Sequence, residues 1–157
     1  MPELASVVTS SLASYYEEVG KTVHRWTELV STEQLWLKPY GYGNSIGHLL
    51  LHVTGNLNYY IGAQIAGTGY VRDRPREFND PEKKPKEKVL ADFDRAISMV
   101  ASTVRKQTAE DLAAPYAATL EPEASDRFTA FLRMAAHAYH HVGQIIYLAK
   151  EVTKPSA

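Results

Sequence analysis

Four of the six histidines in this chain fall into two pairs, His48/His52 and His137/His141. The second pair lies in His137-Ala138-Tyr139-His140-His141-Val142-Gly143-Gln144, a stretch with helical periodicity. Residues four apart on a helix stand one turn above another on the same face. At that spacing two imidazoles can share one metal ion. The first pair has the same spacing on another helical stretch, and spacing alone leaves open whether His48, His52 or both reach a common site. His140 points roughly 100° away from His141 on a helix of 3.6 residues per turn, a poorer position for a ligand. His24 stands alone on the first helical segment and is expected to be a hydrogen-bonded packing residue facing the core.

Neutral imidazole suits zinc, nickel, copper or iron. Three histidines with a fourth position left open make a reactive site, whereas structural zinc is normally closed by four protein ligands. An ion in such a site brings the pKa of a bound water or thiol toward neutrality. Protease helices of the form His-Glu-x-x-His carry a general base beside the first ligand, but here that position is Ala138. The acids nearest the pair in sequence, Asp126 and Glu151, lie beyond helical reach. Peptidase chemistry is therefore disfavoured, and a metal-bound hydroxide or thiolate is expected to be the nucleophile itself.

The elements that must position these groups read as helices. Apolar residues at Leu4, Val8, Leu12, Tyr15, Val19, Val23, Trp26 and Val30 step by three or four, predicting a first helix over about 3–31. A second opens at Asn44 or Ser45, both good N-caps, carries Ile46, Leu49, Leu50, Val53, Leu57, Tyr60 and Ile61, and stops at Gly67 and Gly69. A third spans about 85–106 through Val89, Phe93, Ile97, Val100 and Val104. The fourth runs from about Ser125 to Glu151 with Phe128, Leu132, Ala135, Ala138, Ile145 and Leu148 inward. No segment reads as a strand.

The fold class expected is all-α, a four-helix bundle, and a bundle core is where side chains from facing helices converge on a metal. One domain over 1–152 is expected, with residues 153–157 as a frayed tail. The three connections, 32–43, 67–84 and 107–124, are long and hold Trp36, Tyr40, Arg72, Arg74, Arg76, Phe78 and Tyr116, so they are expected to be ordered. Arg72, Arg74 and Arg76 suit an anionic cosubstrate, although a solvated loop accounts for them more simply. Tyr59, Tyr60, Tyr139 and Tyr147 are read first as core residues with a wet hydroxyl.

At 157 residues the chain is long enough to bury a core without staples. Its formal net charge of −1 gives no field that would steer it to nucleic acid or an anionic membrane. The absence of cysteine excludes disulfides, thiolate-bound zinc and a cysteine nucleophile. No apolar run is long enough to span a bilayer, and Met1 to Ser6 shows no secretion signal. A cytoplasmic location is the expectation.

Asn44-Ser45-Ile46-Gly47 leading to His52, followed by Gly55-Asn56, resembles the second helix of the DinB superfamily. His137-x-x-x-His141-Val142-Gly143-Gln144-Ile145 resembles its last helix, with the typical His-x-x-x-His-x-Gly-Gln signature. The likeness covers nearly the whole chain, including Arg72 to Phe78, and is closest to an uncharacterised branch of that superfamily. It implies a four-helix bundle of the DinB/YfiT type, often a homodimer, holding one divalent ion, usually nickel or zinc. Carried over position by position, the metal ligands are His52, His137 and His141. His48 matches no family ligand and is left as support around the site or an occasional fourth ligand, with His140 and Gln144 as further support.

Characterised relatives include thiol-using transferases and isomerases, and many others are described only as metal-dependent hydrolases. The expectation drawn from this is a metal-dependent transferase that activates a low-molecular-weight thiol. The alternatives are a hydrolase with a metal-bound hydroxide, or a bundle in which the ion only ties helices together. Neither nucleic acid nor membrane is an expected partner.

Overall fold

The computed structural model describes residues 3–119 and 123–155. Met1 and Pro2 of the chain start, Pro122 of the third connection, and Ser156 and Ala157 of the expected tail lie outside the described residues. The described residues form helices and no strand: α1 (Leu4–Thr27), α2 (Thr32–Leu35), α3 (Ile46–Leu57), a π-helical continuation (Asn58–Ala66), α4 (Arg74–Asn79), α5 (Lys86–Arg105), α6 (Ala109–Ala113) and α7 (Arg127–Val152). The all-α expectation holds. The α1 helix packs on α5 and α7, and α3 packs on the same two, so the four long helices close a ring around one core. Leu50, Leu57, Phe93, Val100, Phe131 and Ile145 are among its fully buried side chains.

Local chemistry explains where the helices start and stop. Ser45 caps α3 by accepting a hydrogen bond from the His48 amide. Gly47 follows because the Trp36 ring lies against it: a Cβ there would sit 2.6 Å from ring carbons. Trp36 is held in turn by donation from its Nε1 to the Lys84 carbonyl. The chain leaves the π-helical segment at Gly67, whose φ of +67° favours glycine.

All three expected long connections contain a short helix. Ser31 opens α2 through a capping box with Gln34, and Thr108 opens α6 through one with Asp111. Asp73 opens α4 by capping the Arg76 amide, with Pro75 in the first turn. The α1 helix therefore ends at Thr27, short of the expected Ser31. Lys86 Nζ closes its end by donating to the carbonyls of Thr27, Glu28 and Val30 at 3.2, 3.3 and 2.7 Å.

Two expected inward stripes hold only in part. On α1 Val19 and Val23 are buried as expected, but Thr9, Ala13, Tyr16, Gly20 and Thr27 complete the buried face, while Leu4 and Tyr15 are exposed. On α7 Ala135, Ala138, Ile145 and Leu148 are buried as expected, but Phe131 and Met134 are buried in place of Phe128 and Leu132, which are exposed. Both helices carry two adjacent apolar lines, and periodicity does not say which faces the ring's interior. Tyr16 settles the register, because its hydroxyl donates to the Phe131 carbonyl at 2.6 Å in the core. Replacing Tyr16 with Phe is expected to cost about 1 kcal/mol, read by urea unfolding. A change within measurement error would mean that this bond does not tie α1 to α7.

The stretch Asn58–Ala66, expected as ordinary α-helix, winds with the wider π pitch. In it the Tyr60 carbonyl accepts from the Tyr116 hydroxyl at 3.0 Å. Single π stretches often accompany functional sites, and Tyr60 lines the cavity described next. No helix among the described residues is long and apolar enough to cross a membrane.

Candidate metal centre

The α3 and α7 helices are neighbours in the ring and bring three histidines together. One imidazole nitrogen each from His52, His137 and His141 lies within 4.8 Å of the other two. His52 Nε2 and His137 Nε2 are 3.0 Å apart. Four nitrogen ligands at about 2.05 Å around a tetrahedral ion would be about 3.3 Å from one another, so this spacing is close to what an ion would require. Helical spacing puts His137 and His141 on one face of α7; the ring of four helices supplies His52.

The far nitrogens of two of these rings are tied down. His52 Nδ1 donates to Glu77 Oε2 at 2.8 Å. Neutral imidazole has a single N–H, so this bond leaves Nε2 as a lone pair aimed at His137. His141 Nδ1 donates to the Gln144 amide oxygen at 2.7 Å, which frees its Nε2 in the same way. Burial, together with the neighbouring His141, His52, His140 and Arg72, pulls the His137 pKa down to about 4. Burial lowers that of His141 as well, against the Gln144 bond, which raises it. Both rings are therefore neutral at pH 7, the form that ligates a metal. Three converging imidazoles, two with their far nitrogens bonded to oxygen acceptors, form a donor set that suits a borderline divalent ion.

Glu77 is the residue of the candidate site that helical spacing missed. No acid lies near His137 or His141 in sequence, and the structure supplies one to His52 from α4 instead. Burial pushes the Glu77 pKa up, but hydrogen bonds from His52 and Arg72 and the Arg72 charge outweigh it and hold the carboxyl below its usual range. Arg72 Nε donates to Oε1 at 2.7 Å and Nη2 to Oε2 at 2.9 Å, a two-pronged grip. Both side chains are buried, at 6% and 5% exposure. Gly55 makes room for this arrangement, since a Cβ there would lie 2.2 Å from Glu77 Oε1. The signal for Glu77 was present in the sequence: Asp73-Arg74-Pro75 is a helix start, and it carries Glu77 on the first turn and a half of α4.

The other singled-out residues take different places. His48 is buried away from the group, with Nδ1 2.6 Å from the Ser45 hydroxyl and its ring edge-on to Trp36. His140 is exposed, its ring edge-on to His141. Gln144 supports His141 directly. His24, expected in the core, is half exposed and bonded to Asp94 at 2.8 Å, because its position on α1 faces the α5 surface instead of the interior. Arg72 is not the solvated loop residue expected for it, whereas Arg76 is exposed. Tyr60 is buried, while Tyr139 and Tyr147 are exposed.

A cavity of about 520 Å³ opens beside the histidines, lined by His52, His137, Asn56, Tyr60, Arg72 and Arg74, with Arg133, Met134 and Ala136 completing it. That volume is within the range of small-molecule sites. Residues 4–156 match the family described as a protein of unknown function, DUF1572. No curated protein and no solved structure matches the chain.

Proposed function

This chain belongs to the DUF1572 family, and we propose that it is a DinB-like protein that holds one divalent ion, nickel or zinc, at His52, His137 and His141. The observation that carries this reading is the convergence of three imidazole nitrogens, two of them freed for ligation by Glu77 and Gln144. A divalent ion held there would draw the pKa of a coordinated thiol or water toward neutrality. Thiol transfer to a small electrophile is the activity we infer. A transferase of this kind does not need a protein base at the reacting atom, and the nearby carboxylate, Glu77, has both oxygens engaged by His52 and Arg72. Within that reaction His52, His137 and His141 hold the ion. Glu77 and Gln144 fix ring orientation, and the cavity walls at Asn56 and Tyr60 surround the substrate.

The test is elemental analysis of untagged protein beside His52→Ala and His137→Ala. About one nickel or zinc per chain is expected in the parent and none in either variant. A screen of thiols against small electrophiles then reads the reaction. Turnover that requires the thiol supports transfer, turnover without it means hydrolysis at the same residues, and metal without turnover leaves an ion that ties α3 to α7. Protein purified without chelator and free of metal would overturn the whole reading.

A homodimer is part of this proposal. Val7, Leu12, Tyr15, Phe128 and Leu132 form an apolar groove along α1 and α7 that the monomer leaves open, and exposed apolar patches of this kind mark association surfaces. Sedimentation equilibrium is expected to give twice the chain mass, with Leu132→Lys shifting it toward one chain. A monomer at all loading concentrations would remove the dimer.

A further inference from the structure

The cavity beside His52 and His137 has a one-sided charge. Three arginines line it, and no Asp or Glu among the described residues does. Their charges are not equally committed. Glu77 neutralises Arg72 inside the protein. Arg133, exposed on α7, shares its charge with Glu123 at the surface. Arg74 is exposed at the start of α4, lies over the Phe78 ring at 5.9 Å, and has no ion-pair partner among the described residues.

The neighbouring cavity provides a contrast. It also contains cations, Arg76, Lys84 and Arg95, but Asp73, Glu77, Asp80 and Asp92 line it with them. Arg76 Nε lies 3.9 Å from Asp80 there. Its charge is answered by the protein, and that of Arg74 is not.

A second observation concerns the wall itself. Asn56 stands one helical turn after His52 and lines the same cavity. It is 5% exposed, and its Oδ1 is the one buried side-chain polar atom among the described residues that has no hydrogen-bond partner. Leaving such a group unmade is costly, and unpaired buried polar atoms are tolerated where a ligand completes them.

We propose that this cavity takes a small anionic substrate, a carboxylate or phosphate seated between Arg74 and Arg133, with a hydroxyl or amine hydrogen set against the Asn56 amide. This rests on the reading of His52, His137 and His141 as the reacting end, because the anion then anchors the substrate opposite them. Guanidinium matches both oxyanions with paired N–H donors. The sequence named Arg72, Arg74 and Arg76 for such a role. The fold gives Arg72 to Glu77, turns Arg76 to the other cavity, and brings Arg133 from α7 in its place.

Succinate and inorganic phosphate, titrated separately into metal-loaded and metal-stripped protein and followed by calorimetry, test this and tell the two oxyanions apart. One saturable site per chain is expected for at least one of them. Arg74→Gln and Arg133→Gln should each weaken it about tenfold, while Arg76→Gln leaves it unchanged and all three variants keep the parent's metal content. The arginines are exposed, so none of these changes threatens folding. The proposal is overturned by the absence of saturable binding, by equal weakening in Arg76→Gln, or by binding that vanishes with the metal and ignores Arg74→Gln. Arg74-dependent binding to a protein that never holds metal would support the anion site and remove the metal reading, so the two fail separately.

Discussion

Replacing Glu77 with Gln is expected to weaken metal binding ten- to a hundredfold and to destabilise the fold by on the order of 3 kcal/mol. The two effects have different origins. His52 keeps its ligating nitrogen free because its other nitrogen donates to the carboxylate, and a carboxylate raises the basicity of the ring that an amide would not. The stability loss comes from Arg72, whose buried guanidinium is gripped through two nitrogens by that same carboxylate and would lose its counter-charge. Gly55→Ala disturbs the same carboxylate without removing its charge. It drives a Cβ to within 2.2 Å of Glu77 Oε1, the oxygen that Arg72 Nε holds, so the carboxylate must shift against both Arg72 and His52. Titration of each purified variant with metal, beside a urea melt of the metal-free form, reads both quantities. Unchanged affinity in Glu77→Gln and Gly55→Ala would reduce Glu77 to a structural partner of Arg72.

The four long helices were legible because each carries an apolar period. At Ser45 the cap and the apolar run marked the same start, and α3 begins at the next residue, Ile46. Where the inward stripes on α1 and α7 depart from the expected ones was not legible. Leu12 and Ala13, or Leu132 and Phe131, are equally acceptable as core residues until a partner helix chooses between them, and the choice rests on contacts such as Tyr16 with Phe131. The π winding of Asn58–Ala66 has no marker in the residue types either.

The candidate site divides along the same line. The His137/His141 pair is a local pattern on one helix, so spacing alone reveals it. His52 was separable from His48 only by resemblance. The structure adds a physical reason, since Ser45 and Trp36 occupy His48 while His52 faces α7. The Glu77 link to His52 spans 25 residues and runs through a short helix inside what reads as a loop. Arg133 joins Arg74 at one cavity from a different helix. Such long-range pairings leave no periodic trace in one sequence. What the sequence does carry is the set of small residues that permit them: Gly47 for the Trp36 ring and Gly55 for the Glu77 carboxylate.

Removal of the metal should produce the largest stability change of any treatment. An ion that binds only the folded chain adds RT ln(1 + [metal]/Kd), about 4 kcal/mol when free metal is a thousand times Kd. For a chain of this size each kcal/mol moves the midpoint by roughly 2–4 °C, so a chelator is expected to lower Tm by about 8–16 °C. The direction follows from the site itself. Without an ion the ligating nitrogens still converge, with His52 Nε2 3.0 Å from His137 Nε2, and the first of them is held there by Glu77 whether metal is present or not. In His137→Ala the convergence is gone, so the same chelator should leave Tm where it was. That contrast distinguishes loss of a bound ion from any general effect of the chelator. A parent protein whose melting ignores both chelator and added nickel or zinc would leave the three histidines as a polar cluster without an ion.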